Sequence, residues 1–470
     1  MRKSFIAPLL AAALLSGCVV GPNYQRPAIT TPAAFRAAGP TPANDPASLA
    51  DLKWFEVFKD EKLQDLERVA LTQNYDVRDA AARVEAARAA LGLTRSDQFP
   101  NVGAGADIST IRVSRNGATP LPASFVPSQN RTFGGATLNL LSFELDLWGR
   151  LRRATEAARA NLLGAEENRK AVTTTLVSEV AAAYFNLREL DYQLEISQRT
   201  LATRQESLDL IKNRQAGGVA TLLDLRQAEQ LVYTAAATIP TLQQQIEQTE
   251  NQISLLLGRN PGEVLRGRSL TEQEMPPDIP AGLPSALLER RPDIRATEQT
   301  LIAANAEIGV AKAAYFPQVS LTGFLGGQGT QLSSLFSGPS AAWNFTPQVT
   351  QPIFTAGRLK SNVQLAQALR DGALIQYEKT IQTAFTEVSD ALIAHQRVRE
   401  SRVQQELLVA ALQDRTRLAY VRYRGGVDTL LNALDSDRDL FQAELSLSQI
   451  RLNELDSVVQ LYKAVGGGWQ

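Results

Sequence analysis

Asp428, Asn432, Asp435 and Asp439 are spaced i, i+4, i+7 and i+11, which places them on one face of a helix. Such a face is either a solvated, charged helix surface or, where copies of the chain meet around an axis, a stack of carboxylate rings. Rings of that kind favour cations and raise the pKa of their own carboxyls. No nucleophile–base pair, metal set or phosphate loop stands out, so an enzyme is not indicated. With one histidine, one cysteine and two methionines, a catalytic zinc site or a methionine path for soft metals has almost no ligands to draw on. His395 lies among charged residues and reads as a solvated or interhelical contact. The net charge of −1, from 48 basic and 49 acidic residues, leaves no basic field for nucleic acid.

The single cysteine has its own use. Arg2 and Lys3 form a basic start, Phe5 to Leu15 a short apolar run, and small residues follow, the layout of a secretory signal over residues 1–17. The run falls well short of the roughly 20 apolar residues a membrane-spanning helix needs. It ends in Leu15-Ser16-Gly17-Cys18, which resembles the lipobox cleaved just before a lipid-modified cysteine; an ordinary signal with a chance cysteine is the alternative. Val19 follows in place of an aspartate, which by resemblance to bacterial sorting rules favours the outer membrane. On this reading Cys18 opens the mature chain, its thiol is consumed by lipid, and no other cofactor is expected. Beyond the signal no apolar run could form a transmembrane helix, so polypeptide that enters a membrane must do so as strands.

The elements that must position these residues come in duplicate. Asn74-Tyr75-Asp76-Val77-Arg78 resembles Arg291-Pro292-Asp293-Ile294-Arg295, and Phe99-Pro100-Asn101-Val102 resembles Phe316-Pro317-Gln318-Val319, both 217 residues apart. From Gly149-Arg150-Leu151 and Gly357-Arg358-Leu359 onward the offset is 208, and it still holds at Gly217-Gly218-Val219 and Gly425-Gly426-Val427. A loop in the first half is therefore nine residues longer. Each half reads helix, strand, loop, strand, very long helix, turn, long helix.

Residues 150–216 and 358–424 contain no proline and one glycine each, Gly164 and Gly372. As unbroken helices they would span on the order of 100 Å, beyond what a globular core requires. Both end at Gly-Gly-Val, a composition suited to a helix stop and tight reversal. Asp76 and Asp293 are expected to cap helix starts and pair with the arginines two residues on. The strands alternate: Val102, Ala104, Ala106 and Ile108; Phe143, Leu145 and Leu147; Val319, Leu321 and Leu325; Trp343, Phe345, Val349 and Ile353. One apolar and one polar face over roughly 10 residues suits a transmembrane barrel strand, although any one strand alone fits a soluble hairpin as well. Four cannot close a barrel, which takes at least about eight, so several subunits must share one. Residues 114–131 and 326–342 would be the wet loops, and Trp148 either a membrane-interface residue or a packed one.

Taken in order, these residues resemble the outer membrane factors, the TolC-like efflux channels, and within them the lipidated NodT-type branch. The likeness covers nearly the whole chain. It includes Gly21-Pro22-Asn23-Tyr24-Gln25-Arg26-Pro27, Trp54-Phe55 with Phe58, Asp60 and Leu63, the motif at 291–295, and Val465-Gly466-Gly467-Gly468-Trp469. The resemblance implies an α+β membrane protein built as a homotrimer: a twelve-strand outer-membrane β-barrel, four strands per chain, continued by a long α-helical periplasmic barrel with a mixed equatorial domain. It implies an anchor segment at 18–60, repeats at 61–257 and 286–465, an equatorial linker at 258–285 and a tail at 466–470. The function implied is passive conduction from an inner-membrane pump of the resistance-nodulation-division class through a periplasmic adaptor. Tyr423, Leu431, Asn432 and Asp435 match positions that narrow the closed periplasmic end, Asp224 matches one that helps hold it shut, and Gly217, Gly218, Gly425 and Gly426 form the tip turns. Asn432 stands where some relatives have a second aspartate ring. A non-conducting coiled-coil scaffold lipoprotein and the outer-membrane part of a protein secretion system are the alternatives; the scaffold leaves the four strands unexplained.

Overall fold

A computed structural model describes residues 19–36, 53–112, 130–274 and 284–467. Cys18 with the signal, most of the loop at 114–131, residues 275–283 of the expected linker and residues 468–470 lie outside the described residues. The helices are α1 (Trp54–Val57), α2 (Glu61–Gln73), α3 (Tyr75–Ser96), α4 (Arg150–Ala216), α5 (Leu222–Leu256), α6 (Pro284–Arg290), α7 (Pro292–Ala313), α8 (Arg358–Arg424) and α9 (Leu430–Ala464). The strands are β1 (Val102–Arg112), β2 (Asn130–Leu145), β3 (Gln318–Gly329) and β4 (Ala341–Thr350). Lengths recur in pairs: α3 and α7 have 22 residues, α4 and α8 have 67, α5 and α9 have 35. No helix among the described residues is long and apolar enough to cross a membrane.

The chain divides into two compact units. Of the described residues, the first takes those up to Pro27, Val84–Gly164 and Thr297–Tyr377, and the second takes Ala28–Arg83, Ala165–Ala296 and Glu378–Gln470. The first unit holds one antiparallel sheet in the order β1-β2-β3-β4. Cross-strand partners share a face, so the register sorts the side chains. One face carries the rows Val102, Leu140, Gly323, Phe345 and Ala104, Leu138, Leu325, Trp343. The other carries Gly103, Asn139, Phe324, Asn344 and, further along, Glu144, Ser320, Gln348. An extra residue in β2 between Leu140 and Phe143 restores the pattern. This bulge shifts the parity, so that Phe143 and Leu145 join Leu138 and Leu140 on the apolar face. Val102, Ile108, Leu138, Leu325, Trp343, Phe345 and Val349 are all exposed.

Two strand ends differ from the sequence reading. β2 stops at Leu145 because Asp146 turns to accept from the Leu151 and Arg152 N–H groups at the start of α4, 3.2 and 2.9 Å away, and Leu147 leaves the strand with it. β4 stops at Thr350, short of Ile353, because Pro352 has no N–H and restricts Gln351. β3 in turn runs to Gly329, which shortens the second wet loop.

The helical part of the first unit packs small residues: Ala157 and Ala160 of α4 against Ala303 and Ala306 of α7. The motif at 21–27 straps across both helices. Arg153 donates to the carbonyls of Val20 and Gly21 and to Asn23, Asn305 donates to Pro22 O at 3.0 Å, and Tyr24 and Arg26 both reach Glu298. Gly21 has φ +101 and rests against Gly309, where a Cβ would collide with backbone.

In the second unit each return helix is clasped at its C-terminus. Asn74 Nδ2 donates to Leu256 O (2.9 Å) at the end of α5, and Arg291 Nη1 donates to Ala464 O (3.0 Å) at the end of α9. Arg291 also pairs with Glu387 and, through two bonds, with Asp293. Asn74 rather than Asp76 caps α3, accepting from the Asp76 and Val77 N–H groups. Arg295, the expected partner of Asp293, pairs with Glu167 instead. Pro240 sits inside α5 without ending it.

Asp60 joins the linker to this unit. Only 1% exposed, it accepts from Tyr184 Oη, Gln273 Nε2 and the N–H of Arg268, each at 2.9 Å, and from the Lys62 and Leu63 N–H groups that it caps. Burial pushes its carboxyl up, but the hydrogen bonds outweigh burial and hold it below the ordinary value. A carboxyl lowered on folding contributes stability that is full above its unfolded pKa and is lost as pH falls through the folded one. Asp60→Ala should cost roughly 3 kcal/mol by stranding buried donors. Asp60→Asn should flatten the acid limb of a stability–pH curve below about pH 4, as read by thermal unfolding; an unchanged acid limb would refute the assignment.

Candidate functional site: the paired helix tips

The tips are two equivalent reversals. Val219 N–H reaches Arg214 O (2.8 Å) and Gly218 N–H reaches Gln215 O (3.0 Å) in one; Val427 reaches Arg422 O (3.1 Å) and Gly426 reaches Tyr423 O (3.0 Å) in the other. Gly218 and Gly426 have φ of +75 and +72, so each closes its helix in the left-handed region where glycine carries no Cβ penalty. Gly217 and Gly425 complete the turns, donating to Asn213 O and Val421 O.

Between the tips lies a core of Leu208, Ile211, Val232, Tyr423, Leu430 and Leu434. Tyr423 therefore belongs to the packing, with Arg214 stacked 4.8 Å from its ring. Leu431 points away from this core and is 49% exposed. Asp224 closes a capping box at the start of α5: its Oδ2 accepts from Thr221 N–H and Oγ1, both at 2.8 Å, while its own N–H donates to Thr221 Oγ1. Asn432 occupies the equivalent place 208 residues on, but bonds Asp428 instead, its Nδ2 2.6 Å from Oδ1.

The carboxylates of the second tip are each answered within the chain. Asp428 pairs with Arg422 at 3.0 Å, Asp435 with Arg438 at 3.1 Å, and Asp439 with both Arg415 and Arg438. Arg422, then Asn432 and the Thr429 N–H, hold the Asp428 carboxyl below its ordinary value, the opposite of the rise expected for a bare ring. What this surface offers is a line of ion pairs. His395 bonds Ser457 Oγ at 2.8 Å, an interhelical contact, and Trp148 packs at the end of β2, stacked 4.7 Å from Phe316 with its Nε1–H on Pro317 O.

Sequence reasoning missed the most buried charge pair at this end. Arg204 of α4 and Asp437 of α9 approach to 2.6 Å with side chains 3% and 10% exposed, and Arg204 also bonds Leu231 O and lies 4.9 Å from the Phe441 ring. Burial pushes the Asp437 carboxyl up and Arg204 draws it back. The one available signal was a pair of charges at positions that the helical period assigns to the inside.

A predominantly helical chain of paired long helices, carrying one antiparallel sheet with an apolar and a polar face, defines the class. The chain belongs to the outer membrane efflux protein family, whose model matches residues 66–259 and again 283–467. A probable efflux pump outer membrane protein of Pseudomonas putida, TtgC, is 40% identical, the likeness covering 100% of this chain and 96% of that protein. A toluene efflux pump outer membrane protein, from another strain of the same species, is 39% identical with the same coverage. Among solved structures, the outer-membrane channel OprN matches with a TM-score of 0.89 and 32% identity, covering 96% of this chain and 100% of that one.

Arg204→Leu should destabilise the protein by about 3–5 kcal/mol, because it leaves a buried carboxylate without its partner. Arg204→Leu combined with Asp437→Leu should lose markedly less. Chemical unfolding of the parent, the two single variants and the double variant measures the difference, and additive losses would refute the coupling.

Proposed function

We propose that the chain is one subunit of a homotrimeric outer-membrane channel in a tripartite efflux system, passively conducting what an inner-membrane pump and a periplasmic adaptor deliver. The observation that carries this reading is the sheet. Most of its large apolar residues share one exposed face, and the outer edges of β1 and β4 pair with no strand among the described residues. Hydrocarbon does not tolerate open edges, and four strands cannot close. Three copies would supply twelve, the β4 edge of each meeting the β1 edge of the next, with the polar face toward water. The long helices then form the periplasmic extension. Lipid on Cys18 acts as an accessory tether, and the pump is of the resistance-nodulation-division class. Relatives named for efflux, one of them for toluene, support small organic cargo.

The constriction in this reading is Leu431 with Asp435, and Tyr423 supports them from the core behind. Asn432 and Asp428 hold the turn, and Asp224 shapes the opposite tip. Because Asp435 is paired with Arg438, a ring of three would be a ring of ion pairs, with weaker cation preference than bare carboxylates give.

The test is planar-bilayer recording on protein purified from outer membranes. A trimer of small or gated conductance is expected, and a monomer without conductance would overturn the channel. Tyr423→Phe with Asp435→Ala should raise conductance and antibiotic leak. A well-folded double variant that conducts like the parent removes these residues from the constriction.

A further inference from the structure

Partway along α4, in the second unit, a buried carboxylate has no cation beside it. Glu189 is 1% exposed. Its Oε1 accepts from Ser448 Oγ of α9 at 3.0 Å and from Gln193 Nε2 one turn on. Its Oε2 has no partner among the described residues. Burial pushes the carboxyl up, Ser448 and Gln193 draw it back, and no neighbouring charge takes part. Oε2 is not sealed in the packing. Glu189 lines a cavity of about 490 Å³ together with Asn186, Gln193, Gln248, Gln252 and Gln449, and this oxygen opens toward it. The lining contains no lysine, arginine or histidine, and Leu190 is its one aliphatic side chain. The amides nearest the carboxylate direct their donors inward. Asn186 Nδ2 donates to Thr249 Oγ1 (3.4 Å), Gln193 Nε2 to Glu189, and Gln449 Nε2 to Asn453 Oδ1 (3.2 Å). Their oxygens accept from no side chain or backbone group among the described residues. The second half lacks such a site: at the offset of 208 Glu189 becomes Arg397, and Ser448 answers to Pro240.

We propose that this groove binds a primary ammonium group on a short alkyl chain, the end of a linear amine or polyamine, with Glu189 Oε2 as its counter-ion and amide oxygens of the lining as its other acceptors. The hydrogen-bond inventory decides the chemistry. A primary ammonium brings three donors and no acceptor, the complement of a lining that presents oxygens. A charge-assisted bond to the carboxylate is roughly twice as strong as a neutral one, and it offsets the cost of holding Glu189 ionised away from water. A divalent metal fits less well. Such ions gather several oxygen ligands, carboxylates foremost, and no three His, Cys, Asp or Glu side chains cluster among the described residues. The volume is that of a small-molecule site, and Leu190 can meet the alkyl stem. A quaternary ammonium has the charge but no N–H, so it would leave the amide oxygens unmet. The site stands on the helices alone and does not depend on the sheet closing into a barrel.

The experiment is isothermal titration calorimetry of putrescine into the full-length protein in detergent, with choline and magnesium as comparison ions. Putrescine should bind once per chain, and Glu189→Gln, which keeps the shape but removes the charged acceptor, should weaken it at least about tenfold. Gln252→Lys, at the exposed rim, leaves Glu189 in place and tethers an ammonium beside it, so binding should be lost. Choline should bind at least about tenfold more weakly than putrescine, for want of N–H donors. Absence of putrescine binding to the parent overturns the proposal. So does equal binding to the parent and Glu189→Gln, which would place the amine on other surface carboxylates. Choline as tight as putrescine refutes the acceptor lining, and displacement of putrescine by equimolar magnesium makes the groove a metal site instead. Conduction is read separately by planar-bilayer recording, so a failure of the amine site and a failure of the channel are distinct results.

Discussion

A strand whose outward N–H and C=O groups stay unpaired cannot rest in hydrocarbon, and the proposed channel depends on that constraint. Among the described residues β1 and β4 each leave an edge open, so the sheet makes sense in a bilayer only as an arc of something larger. Register matters as much as closure. Because side chains alternate with a period of two, a slip of one residue would turn every apolar group of a strand toward water. The bulge after Leu140 is the device that prevents this. It inserts one residue where the sequence pattern changes parity, and the apolar face continues unbroken to Leu145 and Val319.

Duplication accounts for much of the rest, and its departures are as informative as its matches. Asn74 and Arg291 perform the same act, donating to the final carbonyls of α5 and α9, with different chemistry. The amide suffices where one carbonyl must be met. The guanidinium also reaches Glu387 and Asp293, so the second clasp binds α8 as well. At the tips Thr221 with Asp224 makes a closed capping box, whereas Thr429 has Asn432 three residues on, and Asp428 accepts from the Thr429 N–H and from Asn432 Nδ2 with no such box formed. Equivalent backbones thus carry unlike charge, which is how one architecture presents two different surfaces.

Much of this was legible in the sequence. The helix lengths could be read because proline and glycine are absent from residues 150–216 and 358–424 except at Gly164 and Gly372, and no other stretch of that length is so free of them. The reversals could be read because Gly218 and Gly426 need positive φ. The strand ends could not, since they depend on Asp146 preferring the α4 N–H groups to the ladder. The extent of β2 was hidden by Gly134 and Gly135, which weaken any strand signal but accommodate the close backbone of β1 and β3. At the tip the sequence located Asp428, Asp435 and Asp439 on one face. Of the arginines that answer them, Arg438 lies on the same helix, but Arg415 and Arg422 come from α8. Spacing along one helix predicts a face; it does not predict which charges from elsewhere fold onto it.

That pairing also orders the tip by cost. The pairs of Asp435 and Asp439 are exposed, and such pairs are worth at most about 1 kcal/mol. They can exchange partners within the binding energy of any protein that docks there. The seam between Arg204 and Asp437 is different, because opening it would strand two buried charges. A rearrangement of the tip that preserves the fold must then pivot about that seam, trading exposed pairs while α4 and α9 stay joined. Tyr423 lies on the packed side and Leu431 on the exposed side. The exposed surface that carries Leu431 can therefore move while the core behind it does not.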